Sequence, residues 1–480
     1  MENKEVAAAV EETGHSSDYM GTESITRLLI KFGIPAIATI LINSAYNMVD
    51  RIFVSNGVGY QALSAISIAS PITYIMAALA MLIGVGGHTI FAMQLGEKDF
   101  KGAEKVLGNT LVAMIILCVI KVIVGFLVLS PIMAALGAEG ETLSLGLDYM
   151  RIILIGALFS GISYGMNNFV NTSGSPTMGL INLATGCILN VILDPIFIFV
   201  FHWGIKGAAI ATIFAQFISA CMVIAFFVFN KKAPVHLTVH SLHLDIRLTL
   251  RSMKLGIASA LSQATSSIVT AFINKSIVIY GAASTVVTGD IVLSAVSATT
   301  STGMVFVIPA FGLQQAVQSL AGYNFGAKNY HRVKEIVKKG MIMAMIVTIP
   351  GYIILHAFSP FFVSLYGNTD NTAFVQYAVW CMHVYNITVP ALALHAICTG
   401  YFLASGQALK ATIVSLVRSI IGLVPLTFIL PLFLGVDGCI WAVPAADMLG
   451  FIVAITMLII DMKRLNGLIA NQRLPQPDIN

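Results

Sequence analysis

The chain has 480 residues, of which 57% are hydrophobic and only 10% are charged. A soluble globular domain carries about 25% charged residues, so this composition excludes that class. The formal net charge of +4 is small and gives no indication of a nucleic-acid partner. Because backbone groups in hydrocarbon must form their hydrogen bonds internally, apolar stretches of this extent are predicted to be membrane-spanning helices.

Residues 1–24 form a polar first segment that is rich in glutamate. A secretory signal needs a basic start followed by an apolar core, and this segment does not have that pattern. It is therefore predicted to be a cytoplasmic N-terminal tail, and the first apolar run is expected to act as its own insertion signal.

Twelve apolar runs follow the tail. About 20 apolar residues cross a bilayer, and each run is long enough to do so. The predicted spans, numbered 1 to 12 in chain order, are 27–54, 60–92, 105–136, 145–170, 177–201, 206–229, 250–279, 285–319, 335–366, 373–403, 409–434 and 438–461.

The short loops between these spans differ in charge. Lys and Arg are concentrated near 93–105, 230–254 and 321–339 and in the C-terminal tail, whereas the alternate loops hold almost none apart from Lys206. Basic loops remain in the cytoplasm during insertion. Both termini are therefore predicted to be cytoplasmic, in a multi-pass protein of the cell membrane with an even number of spans.

Four short motifs recur in the same order in the two halves of the chain, at offsets of 223 to 232 residues. Each half holds six predicted spans, so the halves are parallel repeats, an arrangement typical of transporters. The predicted organisation is an N-lobe at 25–230, a cytoplasmic linker at 231–249, a C-lobe at 250–462 and a cytoplasmic tail at 463–480. The paired motifs begin at Lys31 and Lys254, Leu95 and Phe325, Asn171 and Leu403, and Gly204 and Gly435.

A polar stripe runs along span 1. Asn43, Tyr46, Asn47 and Asp50 are spaced i, i+3, i+4 and i+7, which places them on one helix face. A carboxylate at mid-bilayer costs about 2.5–3.5 kcal/mol, so such a residue needs a reason. The alternative for Asp50 is an acid at the membrane interface that is neutralised by Arg51.

Span 5 carries a second polar stripe. Asn182, Asn190 and Asp194 recur at multiples of four residues. Pro195 follows directly, and a proline inside a helix leaves a carbonyl without its partner one turn back, here that of Val191. The alternative for Asp194 is a purely structural role.

Thr212 and Gln216 form a shorter stripe in span 6. Oxygen-rich faces of this kind suit a hard cation or a proton. The alternative for Thr212 and for Asn190 is hydrogen bonding between helices.

The second half has no carboxylate at the position that repeats Asp194, and it has Asn274 opposite Asp50. The coupling ion is therefore expected in the N-terminal half. Four charged residues in spans of the second half have an open role, either in function or in packing as ion pairs: Lys275, Asp290, Arg418 and Asp447. Side chains that could line a substrate cavity are polar or adaptable in shape: Asn43, Tyr46, Asn47, Gln216, Gln263, Asn274, Met304 and Met382.

Three motifs together carry a resemblance to a known family. They are Tyr46-Asn-Met-Val-Asp50-Arg-Ile-Phe-Val, Leu189-Asn-Val-Ile-Leu-Asp194-Pro-Ile-Phe and Gly204-Ile-Lys-Gly-Ala-Ala-Ile-Ala-Thr212. The chain resembles the multidrug and toxic compound extrusion (MATE) family, in its DinF-like, MepA-like branch. The resemblance covers nearly all of 25–462.

The resemblance implies an all-α polytopic membrane protein with twelve spans in two six-helix lobes, arranged as a V-shaped bundle. It also implies a cation-binding site for Na⁺ or H⁺ in the N-lobe, with Pro35 as the residue that bends span 1. Another branch of the family uses acids in spans 7 and 10, which this sequence lacks. The matching residues of the N-lobe site are Asp50, Asn190, Asp194 and Thr212.

The expected function is multidrug efflux by secondary antiport, in which organic cations or other amphipathic drugs leave in exchange for Na⁺ or H⁺ and antibiotic resistance results. The expected protein is a monomer in the lipid bilayer, with no cofactor and no nucleic-acid partner. One alternative is a lipid-linked oligosaccharide flippase of the same superfamily, which would need several Lys and Arg in its cavity. A membrane-embedded transferase is the other, and it would need a paired-acid or His motif at a membrane face.

Overall fold

The computed structural model describes residues 18–58, 60–136, 138, 140–230, 233–282, 289–364 and 372–472. Regular secondary structure in this part of the chain is entirely helical. Twelve successive helical segments match the twelve predicted spans, and the span numbers refer to them from here on. In order, they are Ile25–Gly57, Tyr60–Gly96, Phe100–Ala135, Gly140–Ile155 with Ala157–Thr172, Pro176–Pro195 with Ile196–Val200, Gly204–Phe229, Ile246–Ala282, Gly289–Gly326, Tyr330–Ala357, Thr372–Tyr385 with Val389–Ala404, Ala408–Leu434 and Val436–Gln472.

Ten of these segments contain helices long and apolar enough to cross a membrane, and the bent pair of span 4 makes an eleventh. Span 7 is the twelfth. Its 37 residues are ample to cross a bilayer, but its first turns carry Arg247, Arg251 and Lys254, which lower its apolar character. The predicted all-α, twelve-span architecture is confirmed.

Span 4 departs from the predicted single helix at 145–170. Its two helices meet at Gly156 with a bend of 55°. A Cβ atom at Gly156 would lie 2.3 Å from Cγ1 of Ile213 in span 6, so only glycine permits this approach. The break is therefore set by packing against a distant segment.

Two spans contain a turn of π-helix. In span 5 the turn Ile196–Val200 follows Pro195 directly, as expected where proline removes a backbone donor. In span 11 the turn Val417–Leu423 contains Arg418. Both turns therefore lie next to a charged side chain within a span.

The chain divides into two compact units. The N-unit comprises Met1–Gly256 and Ser319–Asn329, and the C-unit comprises Ile257–Gln318 and Tyr330–Asn480. Each unit has its own apolar core, the first around Leu129, Met150 and Ile205, and the second around Cys381 and Val443.

The linker returns to the end of span 3 before span 7 begins. Asp245 accepts hydrogen bonds from the backbone N–H groups of Arg247 and Leu248, so it caps the start of the span 7 helix. Lys105 Nζ lies 2.6 Å from Asp245 Oδ2. Asn109 adds a bond to the backbone N–H of Asp245, at 2.7 Å. The beginning of span 7 is thus attached to span 3 within the N-unit.

Candidate functional site: a polar cavity in the N-unit

Two buried carboxylates, Asp50 of span 1 and Asp194 of span 5, form the centre of the site. Asp50 is 8% exposed and Asp194 is fully buried. Spans 1 and 5 pack along each other, so the two polar stripes that the sequence places on these helices face the same space. The two carboxyl groups are near enough to interact electrostatically. Two like charges at such a distance in a buried site favour the uptake of a positive charge between them.

Asn190 connects the carboxylate of span 5 to the hydroxyl of span 6. Its Nδ2 donates to Asp194 Oδ1 at 3.2 Å and to Thr212 Oγ1 at 3.3 Å. Both amide protons are thereby used. Oδ1 of Asn190 and Oδ2 of Asp194 are buried, and neither accepts a hydrogen bond from a donor in the described part of the chain. These oxygens are available as ligands for a cation.

Tyr46 completes this cluster from span 1. Its side chain hydrogen-bonds to Thr212 and interacts with Asp50 and Tyr164. Asn43, one turn earlier, donates from Nδ2 to the Tyr164 hydroxyl at 3.3 Å. The span 1 stripe therefore lies against span 4 as well as against spans 5 and 6.

A cavity of about 270 Å³ adjoins the cluster. Four spans contribute to its wall, and Ser163 of span 4 donates to Ser219 of span 6 at 2.8 Å across it. Its lining is polar or small, with no Lys or Arg among the described residues. The lining residues are Tyr46, Ser163, Tyr164, Leu183, Gly186, Cys187, Asn190, Thr212, Ala215, Gln216 and Ser219.

The structure brings together Asp50, Asn190, Asp194 and Thr212, which are the four residues of the predicted cation site. Tyr46 and Gln216 line the adjoining cavity. The side chains of Asn47 and Asn274, and those of Lys275 and Asp290, lie outside the described residues.

Three other predicted cavity residues belong to the C-unit and not to this cavity. Gln263 is half-buried in span 7, and Met304 is 53% exposed on span 8. Met382 is fully buried in the apolar core of the C-unit, where it packs with its neighbours Ala378 and Cys381. As a core side chain, Met382 lines no described cavity. Pro35 lies inside the uninterrupted helix of span 1.

The sequence analysis missed the contribution of span 4, namely Ser163 and Tyr164. A signal was present, because Ser160, Ser163 and Asn167 are spaced i, i+3 and i+7 and form a polar stripe in an otherwise apolar span. Asn167 itself lies deeper, where it donates to the carbonyl of Gly179 at 3.0 Å.

Carboxylate, amide and hydroxyl oxygens are the donor set of this cluster. Hard cations prefer such oxygen ligands, and a proton can bind the same carboxylates. A sodium ion and a proton would therefore compete for Asp50 and Asp194, because either one neutralises the same oxygens. The arrangement suits reversible binding of a small cation next to a cavity that can hold part of a larger molecule.

Comparison with known proteins gives a consistent result. The MatE family model matches residues 35–196 and 266–429, which is most of the chain. The chain is 26% identical over 455 residues to the Multidrug export protein MepA of Staphylococcus aureus strain MRSA252, covering 93% of this chain and 96% of that protein. The protein of the same name from Staphylococcus saprophyticus is 24% identical over the same coverage.

Solved structures share the fold. A MATE transporter in a bent conformation superposes with a TM-score of 0.87 at 21% identity, covering 96% of this chain and all of that one. A multidrug resistance MATE family transporter in an outward-facing conformation gives 0.85 at 21% identity, covering 95% and 99%. A transporter of the same superfamily from Pyrococcus furiosus gives 0.84 at 22% identity, covering 94% and 98%.

Proposed function

Because the chain belongs to the MatE family of membrane transporters, we propose that it exports amphipathic organic cations across the cell membrane in exchange for Na⁺ or H⁺. It is a transporter and not an enzyme, as are the multidrug export proteins that it resembles along almost its whole length. The single observation that supports ion coupling most directly is the buried group of Asp50, Asn190, Asp194 and Thr212 beside a polar cavity.

The coupling mechanism follows from the charge of this group. With both carboxylates ionised and no cation present, two neighbouring negative charges are buried at a high energetic cost. Binding of Na⁺ or H⁺ removes that cost and stabilises the conformation in which Asp50 and Asp194 are close together. An ion that binds one conformation better than another shifts the population by its differential affinity. Drug and ion must then change each other's affinity by the same factor.

The bend proposed at Pro35 provides an element on which this coupling can act. Pro35 has no backbone N–H to complete the helical bonding of span 1, and Asp50 lies four turns later on the same helix. We infer that the charge on Asp50 and Asp194 sets whether span 1 is straight or bent. In Pro35→Ala the ion sensitivity of drug binding is expected to weaken, and full sensitivity in that variant would remove the bend as its cause.

The experiment that tests this function measures ethidium efflux from vesicles containing the purified chain, under a Na⁺ gradient alone and under a pH gradient alone. The wild type is expected to export ethidium under at least one gradient. Asp194→Asn is expected to reduce gradient-driven export about tenfold or more, the range of typical coupling free energies. Asp148→Asn is the control, since it removes a carboxylate that pairs with Lys206 outside the site.

Two outcomes would contradict the proposal. Export at the wild-type rate by Asp194→Asn would remove the carboxylate from the coupling step. Efflux that is equally fast with no gradient would show that the chain is not an antiporter. The flippase alternative receives no support from this cavity, because its described lining offers no basic side chain for a pyrophosphate group.

A further inference from the structure

The C-unit holds an ion pair deep within two spans. Arg418 Nε of span 11 donates to Asp447 Oδ1 of span 12 at 2.7 Å. Asp447 is 5% exposed, and 28% of the Arg418 side chain is accessible. Asp447 begins the fourth turn of span 12, which places it well inside the apolar part of the segment. Charged residues at such depth face the bundle interior or an aqueous cavity, so the accessible part of Arg418 is not expected to face lipid.

The pair uses only part of the guanidinium. Arginine and carboxylate commonly form two parallel hydrogen bonds. Here Oδ2 of Asp447 instead accepts from Thr388 Oγ1 at 3.1 Å, which leaves Arg418 a single bond to the carboxylate. Nη1 and Nη2 of Arg418 have no hydrogen-bond partner among the described residues. A planar edge with two or more donors is therefore available to another anion.

The surroundings of the pair suit a ligand better than a closed structural contact. Tyr385 and His395 are the other titratable side chains that interact with Arg418. Neither is an acid, so no second carboxylate competes for the guanidinium within the described residues. Arg418 also lies in a π-helical turn, a distortion that occurs frequently at functional sites.

The internal repeat relates this pair to the cavity of the N-unit. A Cβ atom at Gly186 would lie 3.3 Å from Ser219 Cβ, and one at Gly450 would lie 2.7 Å from Arg418 Cβ. These two contacts are equivalent at offsets of 232 and 231 residues, the same as those of the flanking motifs. Asp447 corresponds in the same way to Gln216.

Gly186 and Gln216 both line the N-unit cavity. The C-unit thus places a charged pair where the N-unit has a cavity wall. A buried ion pair is weak evidence of a gain in stability, because desolvation offsets the attraction. A role in binding accounts for its presence at this position.

We propose that Arg418 is the recognition group of a second substrate site, which binds the carboxylate of zwitterionic amphipathic substrates. This inference rests on the proposed exporter function and names the class of substrate that the C-unit selects. Asp447 is the counter-ion that holds the guanidinium in place through Nε while its other edge binds the substrate carboxylate. Thr388 holds Asp447 in the orientation that permits only one bond.

The test compares two dyes that differ in one group: a rhodamine with a free carboxylate, which is zwitterionic, and the methyl ester of the same rhodamine, which is a cation. Their affinities for the purified full-length chain are measured by fluorescence polarisation. In the double variant Arg418→Gln/Asp447→Asn the affinity ratio of acid to ester is expected to fall about tenfold, as for the loss of a charge-assisted hydrogen-bonded pair. In Asp447→Asn alone the guanidinium loses its competitor, and the acid should bind about threefold or more tightly relative to its ester.

The matched control is Lys206→Gln/Asp148→Asn, which removes a salt bridge of 3.2 Å from the N-unit and should leave the ratio unchanged. An unchanged ratio in the Arg418→Gln/Asp447→Asn variant would overturn the proposal, as would failure of Asp447→Asn to favour the acid. The second variant decides the matter if the first does not fold. Failure of the exporter function is seen separately, as absence of gradient-driven efflux of the ester from wild-type vesicles, and it does not alter the binding ratio.

Discussion

Asn190 organises the coupling site because one amide group serves three purposes. Its two N–H bonds hold Asp194 and Thr212 in place, and its oxygen is left buried as a ligand. The side chain of Thr212 is therefore positioned by an acceptor role and keeps its own proton for Tyr46 or for rearrangement on ion binding. Small neutral groups of this kind set the affinity for the ion without adding charge.

Thr212→Val tests that role at constant size. The variant keeps the shape of the side chain but leaves one amide proton of Asn190 without an acceptor, a loss of about 0.5–1.5 kcal/mol for a neutral hydrogen bond. The ion concentration that half-activates ethidium efflux is expected to rise about threefold to tenfold. Thr212→Ser, which keeps the hydroxyl, is the control and should resemble the wild type. Equal half-activation in all three proteins would show that Thr212 is not part of the ion site.

The residues of this site could be predicted to the extent that they repeat along one helix. Asn190 and Asp194 are one turn apart, so their shared face is visible in the sequence. Met382 shows the limit of such reasoning. An adaptable apolar side chain has the same signature in a core as in a drug pocket, and only tertiary packing places this one in the core of the C-unit.

At the scale of elements, the sequence predicted every span but not the internal breaks. Apolar length is a local property, so the twelve runs are legible one by one. The bend of span 4 at Gly156 depends on Ile213, which is more than fifty residues away. No local pattern records that contact. The π turn after Asp194 was foreshadowed by Pro195, since proline removes a backbone donor wherever it stands.

The start of span 7 gives a prediction about pH. The hydrogen bond from Lys105 Nζ, followed by that from the backbone N–H of Leu248, lowers the pKa of Asp245 below its usual range. A carboxylate whose pKa is lower in the folded state stabilises the fold above its unfolded pKa, about 3.9, and that contribution is lost as pH falls through the folded pKa. Asp245→Asn should therefore have a lower Tm than the wild type at pH 7, by a difference that shrinks as the pH falls below about 4.

Thermal unfolding of the two proteins in detergent between pH 3 and pH 7 measures this effect. Asp245 is exposed, so solvent and salt screen its ion pair, and the difference at pH 7 should decrease in high salt. A difference in Tm that is the same at every pH would assign the effect of the substitution to the helix cap alone and not to the charge.

At the scale of the whole molecule, the predicted orientation follows from the basic loops and is tested by chemical labelling. In a background without native cysteines, Glu141→Cys between spans 3 and 4 should react with a membrane-impermeant thiol reagent added outside intact cells. His236→Cys in the linker should react only after the membrane is opened, because that loop is predicted to be cytoplasmic. The reverse pattern would invert every span.

The repeat also relates two close helix contacts inside the N-unit. A Cβ atom at Gly96 would lie 1.8 Å from the carbonyl oxygen of Tyr323, and one at Gly326 would lie 1.8 Å from that of Met93. Both pairs of positions are related by an offset of 230 residues, so the two contacts are one contact repeated by the symmetry of the chain. They hold the ends of spans 2 and 8 together where the predicted loops are cytoplasmic. Backbone cannot yield to a Cβ at such distances, so a side chain there requires the helices to move apart.

Gly326→Ala is therefore expected to favour a conformation in which the ends of spans 2 and 8 are separated. Ser319 reports on this change, because it is 1% exposed and contacts Thr172 at 3.3 Å in the closed arrangement. In Ser319→Cys, labelling from the cytoplasmic side should be slow, and adding Gly326→Ala should raise its rate about tenfold, since a destabilised closed state shifts the population by its lost free energy. Gly467→Ala is the control, because no atom lies within 4 Å of the Cβ it adds. If Gly326→Ala leaves labelling slow while the protein folds and transports normally, the glycine contact does not govern access from the cytoplasm, and alternating access must use another pair of helices.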